Sequence, residues 1–326
     1  MKALVTGATG FIGSHLVEAL QEKNVEVRCL VRPKSDHRWL ADRDVELAVG
    51  DCRDPDCLAA AVRGVDYVFH LAGVVRARKY EDYFLSNSTG THNLLLTCLR
   101  DNPGLERFVL VSSQAAAGPS PNGRPLNEFD AARPISAYGW SKLMAEKEVL
   151  EHKGDLPVVV VRPSPVYGPR DRDFHSLFKL IRLGLRPVIG REERHIHLTY
   201  VRDVVKGTWL AARSAHTKGN VYFLADERSY TWREIGLILG RVFDKKPRQL
   251  TIPKSVSWIV ARVAELWAAL LRRPAVLNRE KRREMLARYW LCDTSRARTD
   301  LGFRVDHPLP VGAENTVRWY RDNGWL

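Results

Sequence analysis

The sequence predicts an α/β fold, a doubly wound parallel sheet followed by a smaller α/β C-terminal part. Three observations carry that reading. Uniformly apolar runs bounded by turn signals recur through the first half of the chain, as strands buried on both faces require. Segments of helical spacing separate these runs, the alternation that builds a parallel sheet. The length of 326 residues, with 45% hydrophobic and 27% charged residues, supports a large core and excludes a disordered chain.

Ala3 to Val5 reads as the first strand, Phe11 to Leu20 as a helix and Val25 to Val31 as the second strand. Gly7, Gly10 and Gly13 lie between the first strand and the helix, where the chain turns sharply and a phosphate can approach the backbone. "VELAVG" is the third strand, and Asp54-Pro55 then suits an N-cap and first helical position. "VDYVFHLAG" is the fourth, followed by a long helical stretch from about Tyr80 to Leu99. "RFVLVSS" is the fifth, Ser136 to His152 a helix, and "LPVVVVRP" the sixth. From about Val166 the segments shorten and lose regularity, so 1–165 is expected to be one domain and 166–326 mainly another. A return to the first domain is expected at about 196–225, with a helix beginning near Arg202. Thr231 to Glu234 reads as a capping box.

Five cysteines, Cys29, Cys52, Cys57, Cys98 and Cys292, are odd in number and widely spread, which suits reduced thiols in a cytoplasmic protein. "MKALVTG" enters an apolar run almost at once, so no signal peptide is expected ahead of the fold. A net charge of +13 points to an anionic partner: a phosphorylated cofactor, an anionic substrate or a membrane surface. No helix-turn-helix, zinc-finger or RNP-type pattern appears, so nucleic acid is not the expected partner. His195 and His197 form an H-x-H pair without an evident third ligand, and no metal site is expected.

"ISAYGWSKLMAE" sets Tyr138 four residues ahead of Lys142, on one face of a helix. Together with "TGATGFIG", this Tyr-x-x-x-Lys pair resembles the extended short-chain dehydrogenases/reductases, which include nucleotide-sugar epimerases and dehydratases and 3β-hydroxysteroid dehydrogenases. The resemblance runs nearly the whole length, to "DTSRARTDLGF" and "TVRWYRDNGWL". It implies a Rossmann-type NAD(P)-binding domain and, typically, a homodimer through helices of that domain. It also implies cofactor contacts at Gly7, Thr9, Gly10, Phe11, Ile12 and Gly13, at Asp51 beside the adenine with Cys52 next to it, and at Leu71, Ala72 and Gly73. Asn87 matches the start of an N-x-x-G-T motif, and Pro163 and Val166 match the segment beside the nicotinamide. Ser113 matches the catalytic serine, with Ser112 as its structural or cofactor-facing neighbour. Tyr138 and Lys142 complete the site and also touch the cofactor.

The roles that follow are a proton transfer at a secondary alcohol or ketone by Tyr138 and a hydrogen bond from Ser113 to the substrate oxygen. Lys142 and an oxidised nicotinamide ring are expected to lower the phenol's pKa, and Lys142 to orient the nicotinamide ribose. The second strand ends Leu30-Val31-Arg32-Pro33-Lys34-Ser35 with no acid for a ribose 2′-hydroxyl, and Asp36 comes late. Arg32 instead suits a 2′-phosphate, so NADP is favoured over NAD. Gln114 and Ala115 follow Ser113 where the 4,6-dehydratases carry an Asp-Glu pair, which argues against dehydration. "SSQAAAGP" resembles the hydroxysteroid dehydrogenase branch more than the sugar epimerases, which usually carry a tyrosine where this chain has Ala117.

The leading expectation is therefore an NADP-dependent dehydrogenase or ketoreductase acting on a small hydrophobic substrate, sterol-like or lipid-like. The alternative is a nucleotide-sugar epimerase, with Arg170 and Arg172 gripping the diphosphate. A third class, a non-catalytic subunit, often loses the tyrosine or lysine that this chain keeps. In "SVSWIVARVAELWAALLRRPAVLNREKRRE", Ile259, Val263, Leu266, Trp267, Leu270 and Leu271 gather on one helical face with Arg262 and Glu265 on the other. Beside it, Arg272 to Arg288 holds seven basic and two acidic residues. The charges argue against a transmembrane span. Two readings stay open for 255–288: a helix packed over the substrate pocket, or peripheral contact with an anionic membrane.

Overall fold

The computed structural model describes residues 1–271 and 278–326. Seven strands form one parallel sheet: β1 (Lys2–Thr6), β2 (Glu26–Val31), β3 (Glu46–Val49), β4 (Tyr67–His70), β5 (Arg107–Val111), β6 (Val158–Pro163) and the strand Asn220–Leu224. Across the sheet they run Asn220–Leu224, β6, β5, β4, β1, β2, β3. The order reverses at β1, which pairs with β2 on one side and β4 on the other. Thr6 aligns with Leu30 and with His70, so the carboxyl ends of these strands form one edge. In open sheets of this kind the crevice at that switch point is where ligands bind.

Neighbouring residues on a strand face opposite layers, and two cores result. Val5, Phe69, Val109 and Val161 pack with the helices Phe11–Gln21 and Val201–Arg213. Leu4, Val68, Leu110 and Val160 pack with Gly90–Asp101 and Ala137–Glu151. A third cluster gathers Tyr167, from a short strand, with Phe178, Ile181, Ile235 and Tyr320 from the later helices.

Local signals explain several boundaries. The Asp54 side chain accepts from the Asp56 amide with Pro55 at the first helical position. Thr231 and Glu234 form a reciprocal capping box. The long helix expected from Tyr80 to Leu99 is interrupted: Tyr80–Phe84 passes into one wide turn, Leu85–Thr89, before Gly90–Asp101. Such turns cluster at functional sites, and this one carries Asn87.

Candidate active site

At the switch point, Gly7 has φ +72°. A Cβ there would stand 2.7 Å from the Ala72 nitrogen and 2.9 Å from the Leu71 oxygen. Only glycine accepts both the left-handed backbone and that approach, so the first turn is packed against the segment Leu71–Gly73. The helix Phe11–Gln21 starts at Gly10 with no side-chain cap and no acid in its first turn. Its amide groups and dipole therefore face the sheet edge unopposed.

From this crevice a chain of hydrogen bonds leads to Tyr138. The Ala72 amide donates to Thr6 Oγ1 at 3.1 Å. Thr6 Oγ1 and His70 Nδ1 are 2.7 Å apart, and His70 Nε2 lies 2.9 Å from Thr91 Oγ1. Thr91 spends its one hydroxyl proton on the Asn87 carbonyl, at 2.6 Å. It must therefore accept from Nε2–H, which leaves Nδ1 to accept from Thr6. Burial pushes the His70 imidazole down to about 3, so the ring is neutral. Asn87 is fully buried; its amide donates to the Val74 carbonyl and to Ser141 Oγ, whose hydroxyl donates to the Tyr138 carbonyl.

Tyr138 and Lys142 lie on the helix Ala137–Glu151. Ser113, at the end of β5, caps the short helix Gln114–Ala117 by accepting from the Ala115 amide. A Cβ on Gly139 would stand 2.4 Å from the Ala115 oxygen, so the absent side chain lets the two segments meet. Ser113, beside the Tyr138 phenol, lowers its pKa, but burial wins and raises the phenol to about 12.

Lys142 lies one turn beyond Tyr138 on the same helix. Its ammonium donates to the Val111 carbonyl at 2.8 Å, and burial brings it down to about 8 against the opposing pull of Glu146. What raises Tyr138 further are the charges of Glu284 and Tyr83. Ser112, expected as a structural or cofactor-facing neighbour, turns inward and donates to Glu146. Glu146 also receives Arg162 through Nε at 3.0 Å and through its terminal nitrogen at 2.6 Å, a buried charge pair behind Lys142.

The other expected residues spread along the same edge. Arg32 is exposed just past β2. Asp51 is gripped by Arg53 at 2.7 and 3.0 Å, and that contact holds its carboxyl below the usual range. Cys52 is buried, its thiol pushed up to about 12, and its carbonyl accepts from Asn93. Thr9, Phe11 and Ile12 occupy the glycine turn and the helix start. Pro163 ends β6, and Val166 opens a two-residue strand paired with Thr199–Tyr200. Asp36 is held by Arg38, away from any ribose role. His195 stacks on Tyr289 and His197 accepts from the Cys292 amide. No cluster of three metal-ligating side chains occurs among the described residues.

Sequence reasoning missed Glu280 and Glu284. On the helix Arg279–Leu286 they cover the start of the Tyr138 helix: Glu280 accepts from the Ala137 amide at 3.0 Å and Glu284 from the Ser136 hydroxyl at 2.6 Å. Carboxylates suit a helix N-terminus. The adjoining helix Lys254–Leu270 turns its apolar face outward, with Leu266 65% and Trp267 61% exposed, so it does not pack that face over the pocket. The side chain of Leu270 and the segment 272–277 of the basic run lie outside the described residues.

The model of the NAD dependent epimerase/dehydratase family matches residues 3–225. The chain belongs to that family. A ceramide reductase of Caulobacter vibrioides is 31% identical over 325 residues, spanning 99% of this chain and 95% of that protein. The crystal structure of gox2253 is 31% identical with a TM-score of 0.83, covering 99% of both chains. A UDP-glucose 4-epimerase from Thermotoga maritima shares the fold at 23% identity, with a TM-score of 0.82 and 99% of both chains covered. Dehydrogenase, reductase and epimerase relatives all fall within the extended short-chain dehydrogenase/reductase superfamily, and the chain is an enzyme of that type.

Proposed function

We propose that this family member is an NADP-dependent dehydrogenase or ketoreductase acting at a secondary alcohol or ketone carbon of a hydrophobic substrate. The observation that carries the reading is the meeting of Ser113 and Tyr138 near the carboxyl edge of the sheet, where Ser113 lowers the phenol's pKa, with Lys142 one turn beyond Tyr138 on its helix. The crevice fits a dinucleotide: the uncapped helix start at Gly10 suits the pyrophosphate, and Gly7 keeps a side chain out of its approach. Arg32, exposed beyond β2, suits a 2′-phosphate. When bound, the nicotinamide supplies or accepts the hydride.

The chain's own residues handle the oxygen. In the reducing direction the Tyr138 phenol gives its proton to the substrate oxygen, and in the oxidising direction it takes that proton back. Ser113 donates a hydrogen bond to the same oxygen and stabilises its developing charge. Lys142, anchored on Val111, stays mostly protonated at pH 7 yet titrates near enough to neutrality to return a proton to the site.

Support for an apolar substrate comes from the relatives named as a ceramide reductase and as a 3β-hydroxysteroid dehydrogenase. Arg170 weighs against the epimerase alternative: it donates to Glu18 and stacks over Trp39 at 4.6 Å, on the first helix's side of the fold. The test follows reduced-nicotinamide fluorescence with NADP⁺ or NAD⁺ and two substrate pools. Net reduction with apolar secondary alcohols supports the reading. Mass-neutral isomerisation of a nucleotide-sugar without net reduction overturns it.

A further inference from the structure

The helix Lys254–Leu270 is built inside out. Among its described side chains Ser257 and Ala261 are the buried ones, 3% and 0% exposed. Ile259, Val260, Val263, Leu266 and Trp267, with Leu271 just beyond, are each 46% exposed or more. At 100° per residue they share one arc of about 140°. Glu265, the single acid between 254 and 271, falls outside that arc and is bonded by Arg262 and Arg279. A contiguous apolar face of this kind on a folded chain marks an interaction surface.

We propose that this face lies on the surface of an anionic lipid bilayer, with the helix in the headgroup plane. Charge selects this occupant. The chain carries +13, and residues 279–288 hold five basic residues against two acidic ones. The helix Arg279–Leu286 is tied behind the apolar helix by Arg279 to Glu265, and by Arg282 to Ser257 at 3.0 Å and to the Lys254 carbonyl at 3.0 Å. One helix diameter, about 10 Å, separates its basic side chains from the lipid, on the order of a Debye length. No helix among the described residues is long and apolar enough to cross a membrane, so the helix lies on the surface.

The basic helix also caps the Tyr138 helix through Glu280 and Glu284. If the proposed function holds, docking sets the active site at the lipid surface, the source of an apolar substrate. Membrane binding itself is read without turnover, so failure of either proposal leaves the other standing.

The test is flotation of the purified protein with vesicles of phosphatidylcholine plus phosphatidylglycerol, beside vesicles of phosphatidylcholine alone. The proposal predicts flotation with the anionic vesicles, weakened by salt, and partitioning about tenfold or more weaker for Leu266→Glu. Ile259→Glu, also on the exposed face, should behave alike, with unchanged circular dichroism showing that both variants fold. Absence of flotation by the wild type overturns the proposal, as does flotation of both variants equal to that of the wild type. So does an oligomer of the wild type, without vesicle binding, that Leu266→Glu converts to monomers, since the face would then join two copies.

Discussion

The Ser136 hydroxyl, which caps the helix carrying Tyr138, donates to the Glu284 carboxylate 148 residues further along the chain. Glu284 thus both fixes the start of that helix and adds negative charge near the phenol, which raises its pKa.

Glu284→Gln keeps an oxygen for Ser136 and removes the charge. The phenolate becomes easier to form, so the alkaline limb of the pH–rate profile should move to lower pH by roughly half a unit to one unit. An unmoved profile in Glu284→Gln would show that the carboxylate acts on Tyr138 through structure alone.

Gly139→Ala should separate the two halves of the hydroxyl pair. The new Cβ meets the Ala115 oxygen at 2.4 Å, so Ser113 and Tyr138 must shift apart by a fraction of an ångström or more. Misplacement on that scale lowers kcat/KM by about 10- to 100-fold. Cofactor affinity, measured by fluorescence titration, should change far less.

Much of this site is legible in the sequence, and the remainder is not, for physical reasons. The glycine turn, the apolar strands and Tyr138-x-x-x-Lys142 depend on local spacing, which the chain displays directly. Glu146, one turn beyond Lys142, is readable as a neighbour, but its partners Ser112 and Arg162 come from other strands. Glu280 and Glu284 act across a tertiary contact and carry no local signal; in the sequence they look like minor members of a basic run. Periodicity likewise shows that residues 259–271 share an apolar face but not which way it points. Helical spacing brings Lys142 to the same face as Tyr138 without saying that its ammonium reaches for Val111.

Lys142 also gives a stability prediction. Its folded pKa, about 8, lies below the ordinary lysine value, so the unfolded chain binds the extra proton between those two pH values. The contribution of Lys142 to stability therefore rises with pH from about 8 to about 10.5 and is least favourable below 8. Lys142→Met should unfold at the same temperature as the wild type or a few degrees higher at pH 7, and the gap should close as pH rises. Calorimetry across that range checks the sign, while turnover in the variant should be largely lost.

Arg32→Ala addresses the cofactor. Removing a charge-assisted contact to a phosphate costs about 1.5–3 kcal/mol, so NADPH affinity should fall by roughly 10- to 100-fold. NADH affinity should stay within a few-fold. Equal losses for both cofactors would assign Arg32 a part in holding the shared portion of the dinucleotide.

The most direct test of the account is turnover and NADPH affinity measured side by side in Tyr138→Phe, which deletes one hydroxyl and keeps the ring. The account predicts turnover lower by about 100-fold or more, with the dissociation constant for NADPH within a few-fold of the wild type. Substantial turnover in that variant would contradict the assignment of Tyr138 as the proton-transferring residue.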